Sequence, residues 1–250
     1  MFSEKFTINS LDVDQNLELR LPNLFKYMQI VASKHVESVG AGHRDLMSNN
    51  YLWVVIRNEV KIFRTPTLDE TITVTTHPGQ TRSFIFPRYF QIYDEKGNLI
   101  ISVSGIWAII DKDTRRVVLK TPYSDKVIAE SDPNDFPLPE KVVGEASSLV
   151  DNRKVRYSDI DINGHMNNTE YIEFLMDTHG PEFYKTHRVK RININFDKEI
   201  KYKEEVQLFT NRNELLEVIK GKTSFSVFLS ISFSWEGSSF SHTRLSRTAL

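Results

Sequence analysis

Apolar residues recur at helical spacing in two stretches of this chain. The first stretch runs from Leu24 to Val39 and stops at Gly40, a residue type that commonly ends helices. The second stretch runs from Ile172 to His179 and is closed by Gly180-Pro181. The pattern predicts two amphipathic helices, the first of about four turns.

Runs rich in β-branched and aromatic residues, which are typical of strands, follow each predicted helix. After the first helix they span Trp53–Phe63, Thr71–His77, Ser83–Tyr93 and Ile100–Ile110. After the second they span Arg188–Phe196, Glu204–Phe209, Leu215–Ile219 and Phe225–Trp235, with Phe240–Leu245 as a further candidate. A short strand at Val155–Tyr157 is predicted just before the second helix.

The same order of elements therefore occurs twice: a strand, one long helix and several antiparallel strands. A helix of this kind buries its apolar stripe by lying across the concave face of its sheet. The predicted fold class is α+β, with two such units whose sheets join into one. The proline-rich stretch between them predicts an N-terminal unit over residues 1–120, a linker over 121–148 and a C-terminal unit over 149–250.

Composition narrows the classes of function. The 250 residues include 32 basic and 33 acidic side chains, so the net charge does not favour binding to nucleic acid or to an anionic membrane. Cysteine is absent, which excludes disulfides, thiolate metal sites and a cysteine nucleophile. The sequence shows neither a signal or transit peptide nor an apolar run of about 18 residues, and we expect a cytoplasmic protein.

The motif most indicative of chemistry stands just before the second helix. Carboxylate, amide and imidazole side chains alternate there at Asp161, Asn163 and His165. A weaker copy stands near the start of the chain. Asp12, Asp14 and Asn16 there lie 147 positions before Asp159, Asp161 and Asn163. In that copy Glu18 takes the place of the histidine. The copy indicates a duplicated fold in which only the second half kept the reactive group.

The same segment also satisfies a calcium-loop pattern. Carboxylate and amide oxygens recur from Asp159, Gly164 stands sixth, and Glu170 stands twelfth. A calcium hand needs a helix on both sides, whereas Val150–Tyr157 is short, charged and strand-like. A third interpretation is structural, in which the Asp and Asn side chains only tighten the turn and cap the helix.

The run from Ser158 to Tyr171, the helix after it and the strand ending at Glu199 resemble the acyl-acyl-carrier-protein thioesterases. The resemblance extends over nearly the whole chain and is to the bacterial type. It implies a double hotdog fold and release of free fatty acid from acyl carrier protein in fatty acid biosynthesis. It further implies no cofactor, no metal, and the catalytic residues Asp161, Asn163, His165 and Glu199.

Many plastid members of the family have cysteine directly after this glutamate, but Ile200 stands here, so a cysteine nucleophile does not apply. Our hypothesis is that Glu199 and His165 position and deprotonate a water molecule. Asp161 would fix the imidazole, and Asn163 would orient the water or the carbonyl. The first turn of the second helix would supply backbone N–H groups for the oxyanion.

The sequence does not decide which of two carriers brings the acyl chain, acyl carrier protein or coenzyme A. Acyl carrier protein follows from the resemblance, while coenzyme A presents the same arm and needs the same chemistry. A non-catalytic acyl-binding or calcium-binding module is a further alternative, and the chain is expected to be a monomer or a homodimer. An acyl tunnel needs apolar walls, and a carrier dock needs positive charge. The aromatic residues in question are either sheet and core residues or walls of the tunnel: Trp53, Phe84, Phe86, Phe90 and Trp107. A local basic cluster is either a solvated face or the dock: Lys185, His187, Arg188, Lys190 and Arg191.

Overall fold

The computed structural model describes residues 1–142, 148–210, 212–213, 216–221 and 227–235. These residues form one antiparallel sheet of eleven strands. The strands are β1 Phe2–Thr7, β2 Tyr51–Ile62, β3 Thr71–Pro78, β4 Phe86–Tyr93, β5 Leu99–Asp111, β6 Ser148–Lys154, β7 His187–Phe196, β8 Glu205–Thr210, β9 Arg212–Asn213, β10 Leu216–Gly221 and β11 Val227–Trp235. The single sheet confirms the predicted fold class.

The helices agree with the sequence pattern in the first half and less closely in the second. They are α1 Leu21–Ser38, α2 His43–Met47, α3 Asn168–Met176 and α4 Pro181–Thr186, with one 3₁₀ turn at Tyr157–Asp159. Gly40 follows α1 with φ of 67°, as a helix-ending glycine should. The second helix is only nine residues long, and Gly180-Pro181 starts the separate helix α4, because proline is well tolerated in a first helical turn.

One strand prediction was wrong. The strand predicted at Val155–Tyr157 is instead β6 at Ser148–Lys154, followed by the 3₁₀ turn. This strand pairs with β8, lies at the edge of the described sheet and is mostly exposed, so it carries no apolar alternation to detect. Strand β1 is the first strand of the N-terminal half, whose position the sequence pattern did not locate, and helix α2 was not predicted. The candidate strand Phe240–Leu245 lies outside the described residues.

The sheet consists of two halves with the same strand order. Across the sheet ten strands follow the order β1-β3-β4-β5-β2-β7-β11-β10-β8-β6, and the short strand β9 pairs with β10 off this path. The halves meet where β2 pairs with β7. Outward from this seam the first half reads β2-β5-β4-β3-β1, and the second half reads β7-β11-β10-β8-β6. At the seam Glu59 is opposite Asn193, Arg57 is opposite Asn195, and Lys61 is opposite Arg191. The chain is therefore a duplicated unit with a pseudo-twofold axis near Glu59 and Asn193.

Helix α1 covers the sheet of the first half with its apolar face and also contacts α3. Leu24, Met28, Val31 and Ala32 on this face are all buried, as the helical pattern predicts. One apolar core extends from α1 through the strands of both halves to α3. Among the described residues, no helix is long and apolar enough to span a membrane.

The segment after β5 is attached to the sheet by hydrogen bonds to its backbone. Ser102 Oγ donates to Asn134 O at 3.4 Å, Ser104 Oγ donates to Pro137 O at 3.0 Å, and Arg57 donates to Pro139 O at 2.9 Å. Asn195 on β7 then bonds the backbone of Val142. The part of the predicted linker before residue 143 therefore crosses from the first half to the second along the sheet.

The buried side chains where β2 pairs with β7 should contribute measurably to the stability of the fold. Ile192 on β7 is fully buried opposite Val60 on β2, which is also fully buried. We expect Ile192→Ala to lower the free energy of unfolding by about 2–5 kcal/mol in urea titrations, because it leaves a cavity in a packed core. Leu119→Ala is the control, since Leu119 is 69% exposed. Equal stability of the two variants would contradict this description of the seam.

Candidate active site

The loop before α3 is held by the carboxylate of Asp161. Asp161 Oδ1 accepts hydrogen bonds from the backbone N–H of Asn163 at 2.8 Å and of His165 at 3.3 Å. Its Oδ2 accepts one from Asn163 Nδ2 at 3.3 Å, and the Asp161 N–H donates to the carbonyl of His165 at 2.8 Å. Gly164 supplies the left-handed backbone that the turn requires, with φ of 80°. The carboxylate thus fixes His165 through its backbone, whereas the sequence hypothesis had it fix the imidazole ring.

His165 and Glu199 face each other, as the sequence hypothesis requires. The His165 Nε2 atom lies 3.4 Å from Glu199 Oε2, and the imidazole is 15% exposed while the carboxylate is 38% exposed. The bond from Met166 N to Ile200 O at 2.7 Å fixes the segment that carries the imidazole against the segment that carries the carboxylate. Nδ1 of His165 is buried with no hydrogen-bond partner in the described residues.

Arg115 is a member of this site that the sequence did not indicate. Its guanidinium Nη2 donates to Glu199 Oε1, so both carboxylate oxygens have a neighbour, one from each half of the chain. Arg115 stands in the turn after β5 with φ of 58°, and 84 positions separate it from Glu199. A contact over that separation has no local signature, because only the pairing of the two halves creates it.

The N-terminal copy of the loop is built with the same hydrogen bonds. Asp14 Oδ1 accepts from the N–H of Asn16 at 2.8 Å and of Glu18 at 3.2 Å, and Oδ2 accepts from Asn16 Nδ2 at 3.3 Å. Leu17 occupies the position of Gly164 and also has positive φ, at 59°. The scaffold of the loop is therefore conserved within the molecule, while the side chains it presents differ.

Both residues of the facing pair are replaced in the copy. Glu18 takes the position of His165 and forms an ion pair with Arg188 at 2.7 Å. The backbone contacts from Leu19 to Pro66 and from Met166 to Ile200 correspond, which aligns Thr65 with Glu199. The copy thus has no counterpart of the Glu199 carboxylate and none of the His165 imidazole. Among the described residues, the facing pair exists only in the second half.

The backbone N–H groups around the start of α3 leave one donor open. From Asn163 to Glu170, seven of the eight N–H groups donate to acceptors in the described residues. The exception is Asn168, the first residue of α3, whose N–H therefore carries the positive end of the helix dipole without a partner. Asn168 also lines a small cavity of about 20 Å³ together with Asn58 and Trp107. Of the backbone N–H groups predicted to bind the oxyanion, the Asn168 N–H is therefore the one left without an acceptor among the described residues.

A large cavity of about 740 Å³ opens between the loop and the N-terminal half. Asp161 and Asn163 line one part of it, whereas His165 and Glu199 are outside its lining. Most of the remaining wall comes from the first half and is apolar and aromatic. Of the aromatic residues predicted for a tunnel, this wall includes Trp53, Phe86 and Trp107. Such a cavity is suited to an alkyl chain.

The calcium interpretation does not fit the structure of this segment. Residues 148–159 form a strand and a 3₁₀ turn where a calcium hand needs a helix. Asp159 accepts from the backbone N–H of Arg156 at 2.7 Å and from Ser158 Oγ at 3.1 Å, so it acts as a turn residue. No group of three or more His, Asp or Glu side chains suited to a metal ion occurs in the described ranges.

Several cations of the predicted carrier dock already have acidic partners within the chain. Lys185 Nζ pairs with Glu182 at 2.7 Å, Arg188 pairs with Glu18, and Arg191 pairs with Glu59 at 2.8 Å. Paired cations present less positive field to a second protein than their number in the sequence suggests. The structure therefore does not favour this cluster as a carrier dock.

The two equivalent loops allow a matched test of the aspartate's role. We expect Asp161→Ala and Asp14→Ala each to lower the free energy of unfolding by about 1–2 kcal/mol, because each leaves loop N–H groups without their acceptor. Asp161→Asn should retain most of the stability, since an amide oxygen still accepts both backbone bonds. Thermal or urea unfolding measures all three. A neutral Asp161→Ala beside a destabilising Asp14→Ala would contradict the equivalence.

Known proteins resemble this chain over most of its length. The palmitoyl-acyl carrier protein thioesterase of Cuphea hookeriana is 24% identical over 217 residues, covering 80% of this chain and 52% of that protein. The oleoyl-acyl carrier protein thioesterase 2 of Arabidopsis thaliana is 24% identical over 242 residues, covering 89% of this chain and 66% of that protein. This chain spans about half the length of the first of these plastid proteins.

Solved structures match over more of their length. An acyl-ACP thioesterase from Bacteroides thetaiotaomicron is 25% identical with a TM-score of 0.80, covering 93% of this chain and 97% of that one. A 12:0-ACP thioesterase from Umbellularia californica shares the fold, with a TM-score of 0.81 at 18% identity, covering 94% and 97% of the two chains. Residues 1–123 match the Acyl-ACP thioesterase N-terminal domain family, and residues 144–238 match the Acyl-ACP thioesterase C-terminal domain family. This chain belongs to the acyl-ACP thioesterase family.

Proposed function

We propose that this protein hydrolyses the thioester of fatty acyl-acyl-carrier protein, releasing free fatty acid and the carrier. The observation that carries the proposal is the imidazole of His165 facing the carboxylate of Glu199, in the only one of the two equivalent described loops that holds such a pair. Family membership and the likeness to the Bacteroides acyl-ACP thioesterase support the same reaction. Fatty acid synthesis is the process that this reaction would end.

In the proposed mechanism, Glu199 and His165 position a water molecule and remove its proton as it attacks the thioester carbonyl. The tetrahedral intermediate then breaks the carbon–sulfur bond, and the sulfur leaves as a thiolate that takes up a proton. A thiol of pKa about 8.5 leaves readily, so the site needs little help for the leaving group. Arg115 would hold Glu199 in orientation through the second oxygen, as a positioning residue.

Negative charge on the carbonyl oxygen requires a donor that is already in place. The Asn168 N–H is the group we assign to this role, because it has no acceptor among the described residues and stands at the N-terminus of α3. Asp161 would keep the loop in the shape that presents His165, and Asn163 would orient the water or the carbonyl at the cavity wall. All four residues of the sequence hypothesis therefore keep a role, although that of Asp161 is exerted through the backbone.

The two halves would divide the work. Residues 1–120 supply most of the apolar cavity that would hold the acyl chain, and residues 149–250 carry the reacting groups. The carrier delivers the thioester on a flexible phosphopantetheine arm, and family membership favours acyl carrier protein over coenzyme A as its bearer. The absence of cysteine is compatible with the reducing cytoplasm, our proposed compartment.

Substitution of the facing pair tests the proposed reaction. We expect His165→Ala and Glu199→Gln each to lower kcat by about 10²–10⁴-fold, because each removes a group that handles the proton of the water. Thiol release from acyl-acyl-carrier protein and acyl-coenzyme A of matched chain length is the measurement. Glu18→Gln is the control, since it alters the equivalent position of the other loop. Full activity of Glu199→Gln, or turnover of neither carrier by the unmodified protein, would contradict the proposal.

The assigned oxyanion donor can be deleted without removing a side-chain function. Asn168 is the first residue of α3, where proline is tolerated, and Asn167 before it has the extended ψ of 142° that a following proline prefers. We expect Asn168→Pro to fold normally and to lose about 10²–10³-fold in kcat, because its N–H is gone. Asn168→Ala, which keeps the N–H, should retain most of the rate. Equal rates for the two variants would remove this N–H from the mechanism.

A further inference from the structure

One wall of the large cavity contains a buried cation. Arg88 on β4 lines the cavity, and the residue is only 5% exposed. No Asp or Glu of the described residues forms an ion pair with it. Burial lowers the pKa of its guanidinium to about 10, so the group still carries its charge at neutral pH. A buried charge without a counter-charge is costly, which is why such groups are usually paired or bind a ligand.

The hydrogen bonds of Arg88 leave part of its guanidinium available. Nη1 donates to His35 Nδ1 at 3.1 Å and to Thr76 Oγ1 at 3.2 Å. Both acceptors are neutral, because burial and the neighbouring guanidinium lower the pKa of His35 to about 4. Nε and Nη2 have no acceptor among the described residues. The side chain therefore offers N–H donors that the protein itself does not satisfy.

Arg88 lies far along the cavity from the loop that carries the reacting groups. Helix α1 lines the cavity from Lys26 near its start to Val36 near its end, and Asp161 lines the cavity together with this helix. Arg88 bonds His35, which is nine residues after Lys26, or about 14 Å along the helix axis. Asn168, at the end of the loop, lines a small cavity with Phe25 and Met28 of the same helix, so the loop ends near the first half of α1 while His35 lies near the helix end. An acyl chain whose thioester lies near this loop would therefore bring its far portion to Arg88.

The wall of the cavity is mostly apolar, although it also includes Lys26, Gln29, Ser33, Lys34 and His43. Leu52, Trp53, Phe86 and Trp107 line the same cavity, so a plain alkyl chain would fill it but leave the spare N–H groups of Arg88 without an acceptor. Sites with buried donors discriminate strongly against ligands that leave these donors unpaired. A chain with an oxygen at this depth would meet both the apolar walls and the cation.

We propose that Arg88 forms a polar subsite that selects acyl chains carrying an oxygen acceptor, such as a hydroxyl or keto group, far from the thioester. The inference rests on the proposed function, since it specifies the substrate of the same cavity. Arg88 would act as a specificity-determining residue, donating from Nε or Nη2 to the oxygen of the chain. His35 and Thr76 would hold the guanidinium in the required orientation.

The test compares saturated and ω-hydroxylated acyl-acyl-carrier proteins of equal chain length, from decanoyl to tetradecanoyl. We expect the unmodified protein to favour one or more of the hydroxylated chains by about 10-fold or more in kcat/KM. The reason is that the hydroxyl oxygen accepts a hydrogen bond from Arg88 that a saturated chain leaves unpaired. Arg88→Met should reverse this preference, whereas Phe86→Leu, a cavity substitution without a polar group, should preserve it.

The ratio of kcat/KM for the hydroxylated chain to kcat/KM for the saturated chain, measured in one preparation, does not depend on how much of the protein is folded. If Arg88→Met fails to fold, the preference of the unmodified protein decides alone. Faster turnover of the saturated chain at every length, with thioester hydrolysis intact, would overturn the inference and leave the proposed function standing. If no thioester is hydrolysed, the proposed function fails, and calorimetry with ω-hydroxydodecanoate and dodecanoate still tests the subsite: tighter binding of the hydroxy acid supports it, and equal or weaker binding overturns it.

Discussion

The antiparallel pairing of β2 with β7 holds the two halves of the molecule together. It joins two equivalent half-sheets about an axis near Glu59 and Asn193, so the loop of one half faces the helix and cavity of the other. The loop at Asp161 thereby lies beside the aromatic wall of the first half, and Arg115 of the first half reaches Glu199 of the second. Neither half alone contains the arrangement that we assign to hydrolysis.

Comparison of the two equivalent loops, at Asp14 and Asp161, distinguishes the residues that shape the loop from the residue that we propose reacts. Asp14 and Asp161 make the same set of hydrogen bonds, so the aspartate belongs to the scaffold. The imidazole of His165 has no counterpart in the copy, where Glu18 stands and pairs with Arg188. The motif is therefore a structural turn shared by both loops, and our proposal assigns the proton transfer to the imidazole that only the second loop presents.

The sequence predicted features with a local cause and missed those created by pairing. The apolar stripe of α1 and the positive-φ Gly40 after it were predictable, because both depend on neighbours along the chain. The exposed edge strand β6 was misplaced, since it has no buried face. The contact of Arg115 and the buried charge of Arg88 arise from residues far apart in sequence, which no periodicity records.

In our proposal, each chain holds one reactive site assembled from both halves. Titration calorimetry with a non-hydrolysable thioether analogue of acyl-acyl-carrier protein tests it most directly, because it counts bound carriers per chain without depending on turnover. We expect one analogue per chain, with binding lost when the acyl group is removed, since the apolar cavity would supply much of the affinity. Two analogues per chain would contradict it, because the loop at Asp14 would then serve as a second site.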